Sequence, residues 1–257
     1  MSPRLKRLKR TNPEPYSLPT QAGDISYVLV RSARRRTIAI SIGSTAQVRV
    51  AAPRYAPDKE IRSFIVEKAP WIQKKLIEAR HVQEILRKRQ YIYGNEFLFL
   101  GEKYPLKVEG EDIRQSRIAF DGRRWCVRVP HAVEGRKRQD LVKNKLVQWY
   151  RIQAKEIFGG RIFHYARQMG LEPQTIAVKT QKRIWGSCAH KEKAISLNWQ
   201  LVLSPMAVID YVVVHEMCHL IVPNHSRRFW QKVGKVLPDY KDRQKWLKKN
   251  QLDMVLP

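Results

Sequence analysis

The sequence predicts an α+β fold, with a β-rich N-terminal subdomain that also carries a helix and a more helical C-terminal part. Three observations lead to this. Residues 25–50 alternate apolar and polar side chains, as in Ile38, Ile40 and Ile42, the signature of half-buried strands. Residues 138–169 carry apolar side chains at helical spacing until Gly170 and Pro173. The run Val208–Val214 follows Ser204-Pro205 and is apolar nearly all round, which marks a helix buried in a core.

Taken in order, residues 1–24 hold five basic residues in the first ten and then Pro13, Pro15 and Pro19, so they read as a flexible basic arm. Tyr27–Val30 form a strand leading to the basic cluster Arg34-Arg35-Arg36. Gly43-Ser44 then turns a hairpin whose second strand holds Val48 and Val50 and ends by Pro53 and Pro57. Ile61, Phe64, Ile65, Ala69, Ile72, Leu76 and Ile77 predict a helix over 58–90, with Pro70 a candidate kink. Short strands are expected around 97–108 and 117–129, separated by Gly101, Gly110 and Asp121-Gly122.

The run Glu134-Gly135-Arg136-Lys137-Arg138 is the natural junction, giving an N-terminal subdomain over 25–135 and a C-terminal domain over 136–257. In the latter, Gly159-Gly160 is a candidate break in the long helix. One strand holds Ile176 and Val178. A second is predicted from the alternation Ile195, Leu197, Trp199, Leu201 and Leu203. Ser204 reads as N-cap and Pro205 as first residue of the following helix. No stretch of the sequence repeats another.

The charge is +27. Residues 1–130 carry 27 basic and 13 acidic side chains and residues 131–257 carry 23 and 10, so the excess belongs to the whole body and not to a tail. This argues against an enzyme acting only on small cationic or apolar compounds and favours an anionic partner, nucleic acid among them. Cys126, Cys188 and Cys218 are too few and too scattered for a disulfide scaffold, and no CxxC occurs. A reducing, cytoplasmic setting without membrane insertion is the expectation, since apolar runs are broken well short of a span.

The segment His215-Glu216-Met217-Cys218-His219 is an HExxH on a predicted buried helix. Two His at i and i+4 lie on one face about 6 Å apart along the axis, so their imidazoles can converge on one ion. Glu216 lies off that face and can serve as acid/base without ligating the metal. Pro223 must end the helix, Asn224 turns the chain, and His225 can fold back toward the same ion, while Ser226 can cap the next helix, which carries the apolar Phe229, Trp230, Val233 and Leu237. Three imidazoles and one open position favour a single catalytic Zn2+. Asp239 and Asp242 are second-choice third ligands. Arg183, Trp185 and Gly186 precede this helix in the run Lys182–Cys188, where a strand edge can pair with an extended peptide and Arg183 can hold an oxyanion or phosphate. Tyr240 is a further candidate for contact with substrate, and Cys188 and Cys218 read as core residues.

RIWGSC, SLNWQLVLSP and VIDYVVVHEMCHLIVPNHSRRFWQKVGKVLPDYKDRQKWL closely resemble the YgjP-like metallopeptidase family, which is related to the SprT-like and WLM-type zinc proteases. RSARRRTIAISI and the helix with KAPWIQKKL resemble its N-terminal part. The resemblance implies a zincin-like fold, zinc held by His215, His219 and His225, and Glu216 as catalytic acid/base. Ile221-Val222-Pro223 departs from the more polar turn of the family, and the basic arm is an addition.

The leading expectation is therefore a zinc-dependent metallopeptidase acting on protein or peptide, near nucleic acid in view of the charge. A metal-dependent phosphohydrolase on nucleotides, drawing on Lys182, Arg183, Arg227 and Arg228, is the second reading. A non-enzymatic nucleic-acid-binding protein using Arg34–Arg36 is the third, although no base-reading motif is present.

Overall fold

A computed structural model of the chain describes residues 15–43, 45–181 and 184–256. The architecture is α+β, as the periodicities predict. It divides into two compact units at Arg87/Lys88. Among the described residues no helix is long and apolar enough to cross a membrane.

The first unit is a four-stranded sheet backed by two helices. Its strands are β1 (Tyr16–Leu18), β2 (Ile25–Ser32), β3 (Ala39–Ile42) and β4 (Val48–Pro53), in the order β1-β2-β4-β3. Strands β2 and β4 run parallel and the outer pairs antiparallel. Ile25, Tyr27, Val48, Val50 and Ala52 face Ile61, Ile65, Ala69, Ile72 and Leu76 in one core. Part of the expected arm is therefore strand: Tyr16 stacks on Tyr27 at 5.6 Å and Leu18 packs against this core. Residues 1–14 and Ser44 of the expected turn lie outside the described residues.

The helix expected over 58–90 is two helices, α1 (Asp58–Glu67) and α2 (Ala69–Lys88), broken at Lys68. Pro70 causes no kink inside a helix, because it sits in the first turn of α2, where its missing N–H leaves no bond unmade.

The second unit starts with β5 (Glu96–Phe99), β6 (Glu102–Glu111), β7 (Arg117–Phe120) and β8 (Trp125–Pro130), in the order β5-β6-β8-β7. Helix α3 (Gly135–Met169) then runs for 35 residues with Gly159 and Gly160 inside it. Its buried stripe, Val142, Leu146, Tyr150, Ala154, Phe158, Ile162 and Tyr165, shares one core with Phe97, Phe99, Leu106, Trp125 and Val127 of the strands. Residues 88–135, which the sequence reading groups with the N-terminal strands, thus bury their apolar face under α3.

The structure also contains a repeat that the sequence reading does not find. The second sheet has the order and pairing senses of the first, with β6 and β8 parallel and the outer pairs antiparallel. The registers correspond residue for residue: Leu18 opposite Ile25 answers to Phe97 opposite Tyr104, Ser32 opposite Pro53 to Glu111 opposite Pro130, and Ile42 opposite Val48 to Phe120 opposite Trp125. Each module ends in a helix begun five residues after its proline, at Asp58 and at Gly135. Across β4 and β8 only Val50/Val127 and Pro53/Pro130 coincide in identity, so composition hides a duplication that hydrogen bonding displays.

Beyond α3 lies a three-stranded sheet of order β10-β11-β9, formed by β9 (Thr175–Lys179), β10 (Gly186–Ala189) and β11 (Ala194–Asn198). The alternation read as one strand through Leu203 breaks at Asn198, whose side-chain carbonyl accepts the Gln200 N–H at 3.2 Å. Trp199–Leu203 then form a 3-10 helix with every residue buried, so alternation there reports burial and not extension. Helix α4 (Met206–Cys218) follows with Pro205, not Ser204, at its N-cap. The Ser204 hydroxyl instead donates to Leu201 O at 2.7 Å, closing the 3-10 turn. A bidentate pair from Arg161 to Asp210, at 2.5 and 3.0 Å, clamps α4 to α3. Helices α5 (Arg227–Val236) and α6 (Tyr240–Asn250) complete the unit.

Candidate metal centre

Helix α4 is apolar nearly all round because it is enclosed, with Val208–Val214, Met217 and Cys218 all buried and Asp210 among them paired to Arg161. That enclosure makes it a rigid platform for the side chains at its C-terminal end. His215 projects there, and His219, at the C-cap, projects one turn later. The chain then turns away: Val222 N–H donates to Cys218 O at 2.9 Å, and Val222 itself is buried. Val222, with Ile221 packed beside it, thus anchors the turn from inside, while Pro223 is exposed. Asn224 Oδ1 accepts the Ser226 N–H at 3.3 Å, and α5 starts at Arg227, with Ser226 as N-cap but without a side-chain cap bond.

This path returns His225 to the other two. His225 Nε2 lies 3.2 Å from His219 Nε2 and 3.1 Å from His215 Nε2, and the ligand atoms of all three residues lie within 4.8 Å of one another. Nδ1 of His219 is 3.1 Å from Val222 O, which fixes its proton there and leaves Nε2 as a lone pair. Nδ1 of His215 is buried without a partner among the described residues. The rings are held by aromatic packing. Phe229 sits 4.9, 4.5 and 4.9 Å from the rings of His215, His219 and His225, and Trp230 stacks on His225 at 5.7 Å. These two residues were read from sequence only as apolar positions of α5. Their helical spacing signals a packed face without saying that the face is made of imidazoles.

Glu216 is 6% exposed, and burial raises its carboxyl to about 7. Strand β10 passes directly over it. A Cβ built on Gly186 would lie 2.7 Å from Glu216 Cγ and Oε1, so only glycine fits there. We expect Gly186→Ala to displace the Glu216 side chain by an ångström or so and, if that carboxylate takes part in a reaction, to lower kcat about 10- to 100-fold. Steady-state kinetics with metal analysis checks this, and an unchanged kcat would show that Glu216 shifts without penalty.

His215 is lowered to about 3, first by burial and then by His219 and His225, and His219 is lowered by burial with the Val222 carbonyl opposing. The thiols of Cys188 and Cys218 are pushed up to about 11 by burial, and Cys218 is a core residue, as read.

Protonation therefore has a definite sign in the metal-free protein. His215, depressed from 6.5, contributes stability that is lost as pH falls below 6.5; Glu216, raised from 4.5, contributes stability that is lost as pH rises above 4.5. Between 4.5 and 6.5 the two oppose each other. Metal-free Glu216→Gln lacks the opposing group, so its melting temperature should fall relative to wild type as pH is lowered from 6.5 to 4.5. Parallel melting curves over that range would refute the assignment.

Of the other residues read from sequence, Arg183 lies outside the described residues. Trp185 is half-buried against the core at the head of β10, and its carbonyl accepts the Asn198 N–H at 2.8 Å. Tyr240 stacks on Trp230 at 5.5 Å, and Trp230 in turn stacks on His225. Asp239 is paired with Arg243 at 2.9 Å, and neither it nor Asp242 belongs to the cluster. One contact was not foreseen: Nδ1 of His190, just after β10, lies 2.8 Å from the carbonyl of His219.

The family description "YgjP-like, metallopeptidase domain" matches residues 36–250. The chain belongs to the YgjP-like metallopeptidase family. That match runs through both units and includes all three clustered histidines. As a YgjP-like metallopeptidase the chain falls among metal-assisted hydrolases of protein or peptide. The crystal structure of the metallopeptidase zymogen of Pyrococcus abyssi abylysin is similar at 22% identity, covering 37% of this chain and 95% of that one, with a TM-score of 0.34. No curated protein matches significantly.

Proposed function

We propose that this YgjP-like protein is a zinc-dependent metallopeptidase in which His215, His219 and His225 hold one zinc ion and Glu216 is the general acid/base. The convergence of the three Nε2 atoms carries this reading. Zinc bound to imidazole at about 2.0–2.1 Å in tetrahedral geometry sets nitrogen atoms about 3.3 Å apart. The observed 3.1 and 3.2 Å fit that spacing. A ring N–H can bridge one such pair, whereas a single cation can satisfy all three nitrogen atoms together.

A bound zinc ion supplies Lewis acidity, lowering the pKa of a coordinated water to about 7 and polarising a carbonyl. The protein's own groups do the rest. Glu216, buried under strand β10, accepts a proton from the attacking water and returns it to the leaving amine. Strand β10 is an edge of its sheet, paired only with β11 among the described strands, so its free edge can take an extended substrate as an added antiparallel strand. Trp185, at the head of β10, and Arg183, two residues earlier in the sequence, are proposed to contact substrate side chains. Tyr240 is proposed to act by bracing Trp230 against His225.

Incubation of the metal-loaded protein with a peptide library, scored by mass spectrometry and run beside nucleoside triphosphates, tests this assignment. Cleavage of peptides by the loaded form, lost on chelation, is expected. Phosphate release without peptide cleavage would transfer the site to phosphoryl chemistry, for which Arg227 and Arg228 beside His225 are the available cations.

A further inference from the structure

We propose that Arg34, Arg35, Arg36 and Arg54, gathered at one end of the first sheet, bind the phosphate backbone of single-stranded nucleic acid. Parallel pairing places them together. Strands β2 and β4 end side by side at Ser32 and Pro53, so the loops that follow both strands leave the sheet at the same edge. The N–H groups of Arg35 and Arg54 both donate to Ser32 O, at 3.4 and 3.1 Å. All four arginines are exposed, and none has a carboxylate partner among the described residues. Asp58, four residues after Arg54 in the sequence, is already paired with Arg31.

Arg31 also shapes the site. Its Nη1 donates to the carbonyls of Arg54 at 3.1 Å and Ala56 at 2.7 Å, with a longer contact to Pro53 at 3.5 Å. A guanidinium that holds three carbonyl groups within four residues fixes the loop carrying Arg54 and Tyr55 before any ligand arrives. Tyr55 is 87% exposed, leaving its ring free for stacking on an unpaired base.

The duplicated module is an internal control. It closes the same end with the same bond, His131 N–H to Glu111 O at 3.3 Å. Yet Gly110 stands at the position of Arg31, Glu111 at that of Ser32, His131 at that of Arg54 and Ala132 at that of Tyr55. The following loop opens with Asp112 and holds a single arginine, Arg114. The fold therefore does not require arginines here, and the cluster answers to something outside the chain. Phosphates spaced along a flexible strand match guanidinium groups on two adjacent loops, and the ring at Tyr55 favours nucleic acid over an acidic peptide.

The test is anisotropy of a labelled oligothymidylate against full-length protein across a salt series. The variants are Arg34→Ser/Arg35→Ser/Arg36→Ser/Arg54→Ser, a charge-matched Lys241→Ser/Lys245→Ser/Lys248→Ser/Lys249→Ser control from α6, and Tyr55→Ala. The arginine variant should bind at least about ten-fold more weakly at low salt, with a log–log salt slope shallower by about 3, while the α6 variant changes by less than about two-fold. Tyr55→Ala should weaken the single strand more than a duplex. Thermal melting confirms that each variant is folded. Equal losses in the arginine and α6 variants would show binding to delocalised charge and overturn the proposal, as would unchanged affinity. Polyglutamate displacing the oligonucleotide at equal charge would make the cluster a dock for acidic protein and overturn it too. None of these outcomes depends on the metal centre, whose peptide cleavage is assayed separately.

Discussion

Glu216→Gln is expected to retain one equivalent of zinc and to lose about 1,000-fold in kcat, within the range by which a positioned acid/base accelerates proton transfer. That factor corresponds to about 4 kcal/mol of transition-state stabilisation. The substitution is nearly isosteric, so the 6%-exposed slot under Gly186 remains filled and strand β10 is undisturbed. What disappears is the capacity to take a proton. Burial raises the wild-type carboxyl and a nearby cation lowers it, two opposing effects between which a carboxylate can accept a proton and give it back. An amide can do neither. Because Glu216 lies off the face that carries His215 and His219, metal content should not change. A variant that turns over peptide at the wild-type rate would remove the mechanism, and one that loses its zinc would make Glu216 a ligand.

His225→Ala should produce the opposite pattern, with loss of the metal itself. Two imidazoles at the end of α4 would remain, and among the described residues no carboxylate joins the cluster, Asp239 being engaged by Arg243. Loss of a partner outside the ligand set typically costs 10- to 100-fold in metal affinity, so loss of a direct ligand should cost more than about 100-fold. Zinc content after dialysis against a zinc buffer reads this directly, and activity should fall with it. The wild-type protein should also lose thermal stability on chelation, because a ligand that binds only the folded state at 1,000 times its Kd adds about 4 kcal/mol. Full zinc occupancy in His225→Ala would show that the ion is held elsewhere.

The candidate centre was legible from sequence to an unusual degree because its parts are close in the chain. His215, Glu216 and His219 sit within five residues of one helix, where spacing alone sets which face each occupies. Pro223 obliges the chain to leave that helix, so His225 follows within reach. The surroundings were not legible in the same way. Phe229 and Trp230 were visible as apolar positions, but what they pack against depends on how α5 returns to α4. The approach of Gly186 to Glu216 joins residues thirty positions apart, and nothing local to either announces it.

Sequence by itself determined the α+β class, the buried character of α4, the metal motif and the cationic body, because each is set by residue type and short-range period. Only the tertiary structure decided that 58–88 is two helices, that Trp199–Leu203 leaves the strand, and that residues 88–135 share a core with α3. The duplicated module belongs with these. A strand tolerates any side chain that suits its face, so two modules can diverge almost completely while their backbone hydrogen bonds keep one register. Long-range pairing of this kind is encoded by the whole core together and not by any segment of it, and so it becomes readable only once the chain is folded.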